Sequence, residues 1–351
     1  ASLLHAHDAI VSFDYAACAP YVEIDMNPQP EPGEGDPSID AIFVSPHKFL
    51  GGPGSSGVLV FNERIYRHDL PPSVSAGGTV DYVGLTDQDF IANVEEREKA
   101  GTPGVLQTLK AALVFQIKDR VGVDAISHRE HELTQRAMRS WKDNDQIEML
   151  GNPDPANRVG IISFNLRNPD GKYLHHKFVT VLLNDLFGIQ SRAGCSCAGP
   201  YGHRLLNIDN ELSERYRHAV QGGYCGIKPG WCRVGLHWVM DDAEADYVIE
   251  AVHFAARHGH RFLDLYEFDL CTGSWKHRYS GGGLTAFSLD AALANEAGQP
   301  ANLSLPLRRQ LYDHYMTEAR RWVERLNEEP TSERVSLGGE LEELQFFVLP
   351  K

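Results

Sequence analysis

Ala41-Ile42-Phe43-Val44-Ser45-Pro46-His47-Lys48-Phe49-Leu50-Gly51-Gly52-Pro53-Gly54 is the stretch that decides the fold. Its first four residues form an apolar run too short for a helix and bounded by turn signals, so they read as a buried strand. That strand delivers a hydroxyl, an imidazole and an ammonium (Ser45, His47, Lys48) at its carboxyl end, and a glycine cluster follows. Working outward, Ala9 to Phe13 is a second apolar run that ends at Asp14 and leads into the small, turn-prone Tyr15 to Pro20. It predicts a buried strand with a carboxylate at its C-terminal end. Gly57 to Phe61 predicts a third short strand. Strands with polar groups at their carboxyl ends match open α/β sheets, whose ligands bind in the crevice beyond those ends. The expected class is α/β, with the site at Asp14 and Ser45 to Lys48.

Downstream, the pattern turns helical from Asp87, breaks at Gly101-Thr102-Pro103, and resumes from Val105 to Arg120 with apolar residues at three- and four-residue spacing. A further helix is expected over Asp124 to Asp143. Strand (Val159 to Asn165), helix (Tyr173 to Asp185) and strand (Ile189 to Arg192) then make a second α/β unit. Tyr201 to Trp231 reads as a polar, irregular insertion, followed by a strand near Arg233 to His237 and a helix opening at Asp241-Asp242, whose carboxylates suit a helix N-terminus. The last ninety or so residues differ in kind: a glycine turn at Gly281 to Gly283, a charged amphipathic helix from about Leu307 to Asn327, and an apolar ending from Leu344 to Leu349. The expected domains are 1–120, 121–260 and an extension, 261–351, of unknown role.

The 351 residues carry 48 acidic and 33 basic side chains, a formal charge of −15. Such a field repels polyphosphate and anionic lipid, which argues against nucleic acid and membrane surfaces as partners. No apolar run reaches the roughly 20 residues that span a bilayer, and a cytoplasmic protein is expected. Six cysteines are too few for a disulfide framework. Cys195, Cys197, Cys225 and Cys232 cluster, but their spacings do not match zinc-knuckle pairs, so no metal is expected. His253, His258 and His260 read as a solvated face.

A lysine at a strand end in a shielded pocket can form a Schiff base with an aldehyde cofactor. Pyridoxal phosphate also needs an acid at its ring nitrogen, which Asp14 can supply, and donors for its phosphate, for which Ser45 and His47 have the right chemistry. Phe13-Asp14-Tyr15-Ala16-Ala17 through Asp25, then Ser45 to Gly54, Ala100-Gly101-Thr102-Pro103, Arg192-Ala193-Gly194-Cys195-Ser196-Cys197-Ala198 and Cys232-Arg233-Val234-Gly235 occur in one order. In that order they resemble the class V aminotransferase family of fold-type I enzymes, in its cysteine desulfurase and selenocysteine lyase branch. The resemblance covers roughly residues 5 to 260. It implies a large cofactor domain, incomplete at its N-terminal side, a smaller α/β C-terminal domain and an extension.

The resemblance also implies roles. Lys48 matches the internal aldimine lysine and proton shuttle, Asp14 the partner of the pyridine nitrogen, and Ser45 and His47 phosphate donors. Thr102 matches a residue that reaches the phosphate of a second subunit in a homodimer. Arg233 matches the main carboxylate clamp and Arg192 the second, and Cys197 the nucleophilic cysteine. L-Cysteine would leave as alanine, with a persulfide on Cys197 for a sulfur-acceptor protein. A class V aminotransferase, epimerase or other lyase without a nucleophilic cysteine stays open as the alternative, as does an inactive fragment or scaffold. Ala17 stands where the desulfurases usually carry a glutamine. The family's first strands, phosphate-binding turn and ring-stacking residue find no counterpart before Asp14, so the chain is expected to be a fragment that exposes an apolar edge and face and binds the cofactor weakly.

Overall fold

The structure, a computed structural model, describes residues 1–194, 199–279, 289–293, 303–327 and 335–351. It divides into two compact units, Ala1–His128 and Arg129–Lys351.

In the first unit a short helix α1 (Ser2–His5) precedes a three-stranded sheet of β1 (Ser12–Asp14), β2 (Ala41–Val44) and β3 (Val58–Phe61), in that order. β1 runs parallel to β2, with Asp14 opposite Phe43, and β3 is antiparallel, with Leu59 opposite Phe43. Alternation along β2 sends Ile42 and Val44 into a small core with Ala19, Ile39, Phe49 and Val114, while Phe43 points the other way. The Ala9 to Asp14 run corrects the expectation of a buried strand. β1 is an edge strand whose three residues are all exposed; of the run, Val11 alone is buried, because only one flank and one face of β1 have neighbours.

Asp40 anchors the start of this unit. It is 2% exposed and accepts hydrogen bonds from Val11 N–H (2.8 Å), His5 Nε2 (3.0 Å) and Arg64 Nε (2.7 Å). Burial pushes its carboxyl up, and those donors outweigh burial and hold it down at about 2. The segment after Asp87 is also corrected: it pairs as a hairpin, β4 (Val80–Val83) with β5 (Gln88–Phe90), before a one-turn helix α2 (Val94–Arg97). Helix α3 (Val105–Val121) follows and buries Ala111 and Val114, while Leu106, Leu109 and Leu113 form an exposed stripe at i, i+3 and i+7.

Helix α4 (Val123–Lys142) contains the unit boundary. The second unit holds a four-stranded antiparallel sheet of β6 (Ile147–Leu150), β7 (Ile161–Leu166), β8 (Arg192–Gly194) and β9 (Trp231–Gly235), in the order β6-β7-β9-β8. One face carries Ile162, Phe164, Leu166, Cys232 and Val234 into the core. There they meet α5 (His176–Phe187), capped by the His175 imidazole and closed by Gly188 in the left-handed region. The Tyr201 to Trp231 segment is helical, not irregular: α6 (Gly199–Leu205) and α7 (Asn210–Gln221), the latter capped by Asp209 accepting from Leu212 N–H. Helix α8 (Asp242–Phe262) opens with Asp241 accepting from Glu244 N–H, as its carboxylates predicted. His253 corrects the solvated-face reading, being 7% exposed between Ser140 Oγ (2.8 Å) and Asn144 Nδ2 (2.9 Å).

The C-terminal residues build core. Hairpin β10 (Tyr266–Asp269) and β11 (Ser274–His277) packs on α5 through Trp275 and Phe178, with ring centroids 4.9 Å apart. After the short α9 (Leu289–Leu293), α10 (Leu305–Asn327) lies against α5 and α8, stacking Tyr312 on Tyr247 at 4.2 Å. α11 (Glu340–Leu344) leads into Phe347, Val348 and Leu349, all buried. Phe347 meets the His175 ring edge-on at 4.5 Å. His175 and His176 are themselves stacked at 4.4 Å in this aromatic nest, and burial pushes both imidazoles down, His176 to about 3. The glycine turn at Gly281 to Gly283 lies outside the described residues.

Candidate active site

The β1–β2 pair supplies the first half of the site. Because the two strands are parallel and adjacent, their carboxyl ends lie side by side: Asp14 ends one, and Ser45 follows the other. Pro46–Lys48 then makes a single 3₁₀ turn, with Lys48 N–H donating to the Ser45 carbonyl (2.9 Å). Pro46 suits the first position of such a turn, where its missing N–H costs nothing. Gly52 is required next, since a Cβ there would come within 2.0 Å of the Pro46 carbonyl oxygen.

The loop after Asp14 is fixed by Lys118 of α3, whose ammonium donates to the carbonyls of Ala19 and Val22. Burial pushes that ammonium's pKa down. Cys18, in the same loop, senses both halves of the constellation. Burial, with the Asp14 charge adding to it, pushes its thiol up, while Lys118 and Lys48 pull it down. Asp14, Ser45, His47 and Lys48 thus converge on one corner of the unit. Asp14, His47 and Lys48 are exposed there rather than shielded, and the Asp14 carboxylate accepts from Ala16 N–H (2.8 Å). This corrects the expected low-dielectric pocket, for the reason that left β1 exposed: the sheet face beside Asp14 has no covering layer within the unit. Thr102 is exposed in the bend between α2 and α3.

The second unit supplies an arginine pair. Arg192 of β8 and Arg233 of β9 are direct cross-strand partners on the sheet face opposite the core, in a row that continues through Ser163 of β7 and Leu150 of β6. A planar guanidinium suits two-pronged contact with a carboxylate or similar small anion. Cys197, Cys195 and the rest of 195–198 lie outside the described residues. Cys232 has the inward place on β9; fully buried, it donates to the His176 carbonyl (3.2 Å), and burial drives its thiol pKa far up. Among the described residues no group of His, Cys, Asp or Glu is arranged to hold a metal ion, and no helix is long and apolar enough to cross a membrane.

Beside Arg233 lies a cavity of about 350 Å³ that sequence reading missed. Arg158, Ser163 and Tyr201 contribute to its wall, with Leu205 of α6 and Trp231. Alternation in Ile161–Leu166 marks Ser163 as an outward polar residue. Nothing local marks Arg158 or Tyr201, which share this cavity wall with Arg233 only through folding.

The donor set fits pyridoxal phosphate in kind: an amine for its aldehyde, a carboxylate for its ring nitrogen, and a hydroxyl and an imidazole for its phosphate. Ser55 Oγ, buried in the glycine loop with no partner among the described residues, adds a spare hydroxyl. The fold is α/β and of the fold-type I class, its large-domain part in the first unit and its smaller domain, with the C-terminal extension, in the second. A protein-family model described as Aminotransferase class-V matches residues 1–248, and the chain belongs to that family. It is 33% identical over 205 residues to a protein named "Probable cysteine desulfurase" from Staphylococcus aureus strain Mu50, covering 58% of this chain and 45% of the relative. Its fold is similar to the apo structure of a cysteine desulfurase from Thermococcus onnurineus NA1, with a TM-score of 0.56 at 23% identity over 72% of this chain and 54% of that one. It is also similar to a cysteine desulfurase, CsdA, from Escherichia coli, with a TM-score of 0.53 at 18% identity over 72% and 53%. The chain spans about half the length of the relatives it matches.

Proposed function

We propose that this chain supplies the lysine and substrate-carboxylate groups of a pyridoxal-phosphate-dependent enzyme acting on a small amino acid, with cysteine desulfurase-like chemistry. The observation that carries the reading is the convergence of Asp14 and Ser45 to Lys48 at the carboxyl ends of two adjacent parallel strands. Bound there, pyridoxal phosphate supplies an electrophilic aldehyde and an electron sink for a carbanion at the substrate Cα. Lys48 binds the aldehyde and moves the Cα proton through its Nζ. Asp14 holds a proton on the pyridine nitrogen, and Ser45 and His47 donate to the phosphate, with Thr102 reaching a phosphate across a homodimer. Arg192 and Arg233 hold and orient the substrate carboxylate, their cross-strand pairing supporting that role. Cys197 takes the sulfur: L-cysteine and the Cys197 thiol become L-alanine and a Cys197 persulfide, which a sulfur-acceptor protein then discharges.

The test is alanine release from L-cysteine by the full-length protein. Lys48→Ala and Cys197→Ser each abolish it if the reading holds, and Cys197→Ser at wild-type rate removes the sulfur-transfer step. Ala17, directly after the Asp14 turn and with no side-chain donor, favours a second reading in which the same groups serve an aminotransferase, epimerase or other lyase with no nucleophilic cysteine. A keto acid in place of alanine selects the aminotransferase among these.

A further inference from the structure

Two free cysteines of the second unit sit across one backbone contact. Cys225 begins a single 3₁₀ turn, Cys225–Ile227, that leads into β9, and Cys271 lies in the turn of the β10–β11 hairpin, within the C-terminal extension. The Cys225 N–H donates to the Cys271 carbonyl (3.3 Å), and the next N–H, of Gly226, donates to the Leu270 carbonyl (2.7 Å). Bond lengths alone then hold the two cysteine Cα atoms within about 7 Å, the limit of a disulfide's reach. The inner side of this contact is full. A Cβ on Gly226 would come 2.6 Å from the Phe268 ring, and one on Gly273 would come 2.9 Å from Gly226 Cα. Gly226 and Gly273 are buried, whereas Cys225 and Cys271 are both exposed, so both thiols stand where small reagents reach them. Cys232, which the sequence groups with Cys225, is instead turned into the core and held on the His176 carbonyl.

Both segments are held in place while the thiols are reduced. Asp269 Oδ1 accepts from Cys271 N–H (2.8 Å), the Lys177 ammonium donates to the Thr272 carbonyl (3.2 Å), and His175 Nε2 donates to the Gly226 carbonyl (3.1 Å). Joining the two sulfurs therefore orders little that the fold has not already ordered. We propose that Cys225 and Cys271 are a thiol–disulfide modification site, at which a small-molecule disulfide such as oxidised glutathione converts the pair to an intramolecular disulfide. One cysteine thiolate attacks the small disulfide, whose S–S bond breaks; a mixed disulfide forms and one small thiol leaves. The other thiolate attacks the protein sulfur of that mixed disulfide and expels the second small thiol. Two protein thiols are oxidised, one small disulfide is reduced, and the two small thiols carry away the two protons. The bond clamps the hairpin turn to the segment entering β9, and so makes the anchoring of the extension redox-dependent.

The test uses the full-length protein, reduced, desalted and equilibrated with either oxidised or reduced glutathione, then blocked with N-ethylmaleimide. No cofactor group takes part, so the outcome is independent of the function proposed above. Non-reducing chymotryptic mapping by mass spectrometry, with cleavage at Trp231 separating Cys225 from Cys232, shows a Cys225–Cys271 cross-link in the oxidised sample. Dithiothreitol removes it, and it is absent from Cys225→Ser and Cys271→Ser. Amide exchange over 266–277 is at least about tenfold slower in the oxidised wild type than in the reduced, as a cross-link that restrains local opening requires, and glutathione makes no difference to it in Cys271→Ser. Wild-type protein that keeps both thiols free in oxidised glutathione, stops at mixed disulfides, or links Cys225 to a different cysteine overturns the inference. A cross-link that leaves exchange in the hairpin unchanged overturns the clamp.

Discussion

Glu130 offers the sharpest test of how the second unit is packed. Its carboxyl is 4% exposed on α4, accepts a hydrogen bond from Gly160 N–H (3.1 Å), and makes no ion pair among the described residues. The fit is tight: a Cβ on Gly160 would lie 3.0 Å from the Glu130 carboxyl carbon and 2.7 Å from the Leu236 carbonyl oxygen. Burial raises the carboxyl from 4.5 to about 7, with the Gly160 N–H pulling weakly the other way. Since the folded state holds this proton more tightly than the unfolded chain, Glu130 costs nothing below pH 4.5. The cost grows between pH 4.5 and about 7 and is complete above that. At about 1.4 kcal/mol per pKa unit, the full cost is about 3 kcal/mol. Glu130→Gln keeps an acceptor for Gly160 N–H and cannot ionise, so it should be about 3 kcal/mol more stable than wild type at pH 8 and within about 0.5 kcal/mol of it at pH 4.5. Urea denaturation followed by circular dichroism at both pH values reads this directly. A difference that does not change with pH, or a less stable Glu130→Gln at pH 8, would refute the packing argument.

Three other outcomes follow from the same geometry. Burial holds His176 neutral, with its pKa lowered to about 3, so its contribution is intact above the unfolded value of 6.5 and is lost as pH falls from there toward 3; His176→Leu should narrow the stability gap between pH 7 and pH 4, measured by denaturation at each. Gly52→Ala drives a methyl against the Pro46 carbonyl and should cost about 1–3 kcal/mol as overpacking does, seen as faster limited proteolysis of the first unit. Phe347→Ala removes a ring 2% exposed among His175, Phe268 and Phe346 and should cost about 3–5 kcal/mol in urea denaturation; a change below about 1 kcal/mol would mean the C-terminal residues are not core.

The run from Ala41 to Gly54 was legible because its information is local: an apolar strand, a proline turn, and a glycine whose Cβ would strike a carbonyl. The helices at 123–142, 242–262 and 305–327 were legible from periodicity and, at Asp241, from a cap. β1 looked buried because composition reports apolarity, whereas burial depends on a covering layer that the sheet lacks at that edge. The 201–231 stretch looked irregular because α7 is mostly polar, yet Asp209-Asn210-Glu211 is a cap signal that marks its start. The pairing of Arg192 with Arg233 is register, and the approach of Arg158 and Tyr201 to Arg233 is tertiary; neither is written in any one segment. The place of Phe346 to Leu349 against His175 likewise joins residues far apart in the chain.

The central claim is that Lys48 is the amine presented to the cofactor aldehyde. Incubating the full-length protein with pyridoxal phosphate, reducing with borohydride and mapping the tryptic peptides by mass spectrometry tests it most directly. The account predicts one pyridoxyl-phosphate adduct, on Lys48, that Lys48→Ala abolishes. An adduct confined to other lysines, such as Lys110 or Lys118, or spread evenly among them, would contradict it.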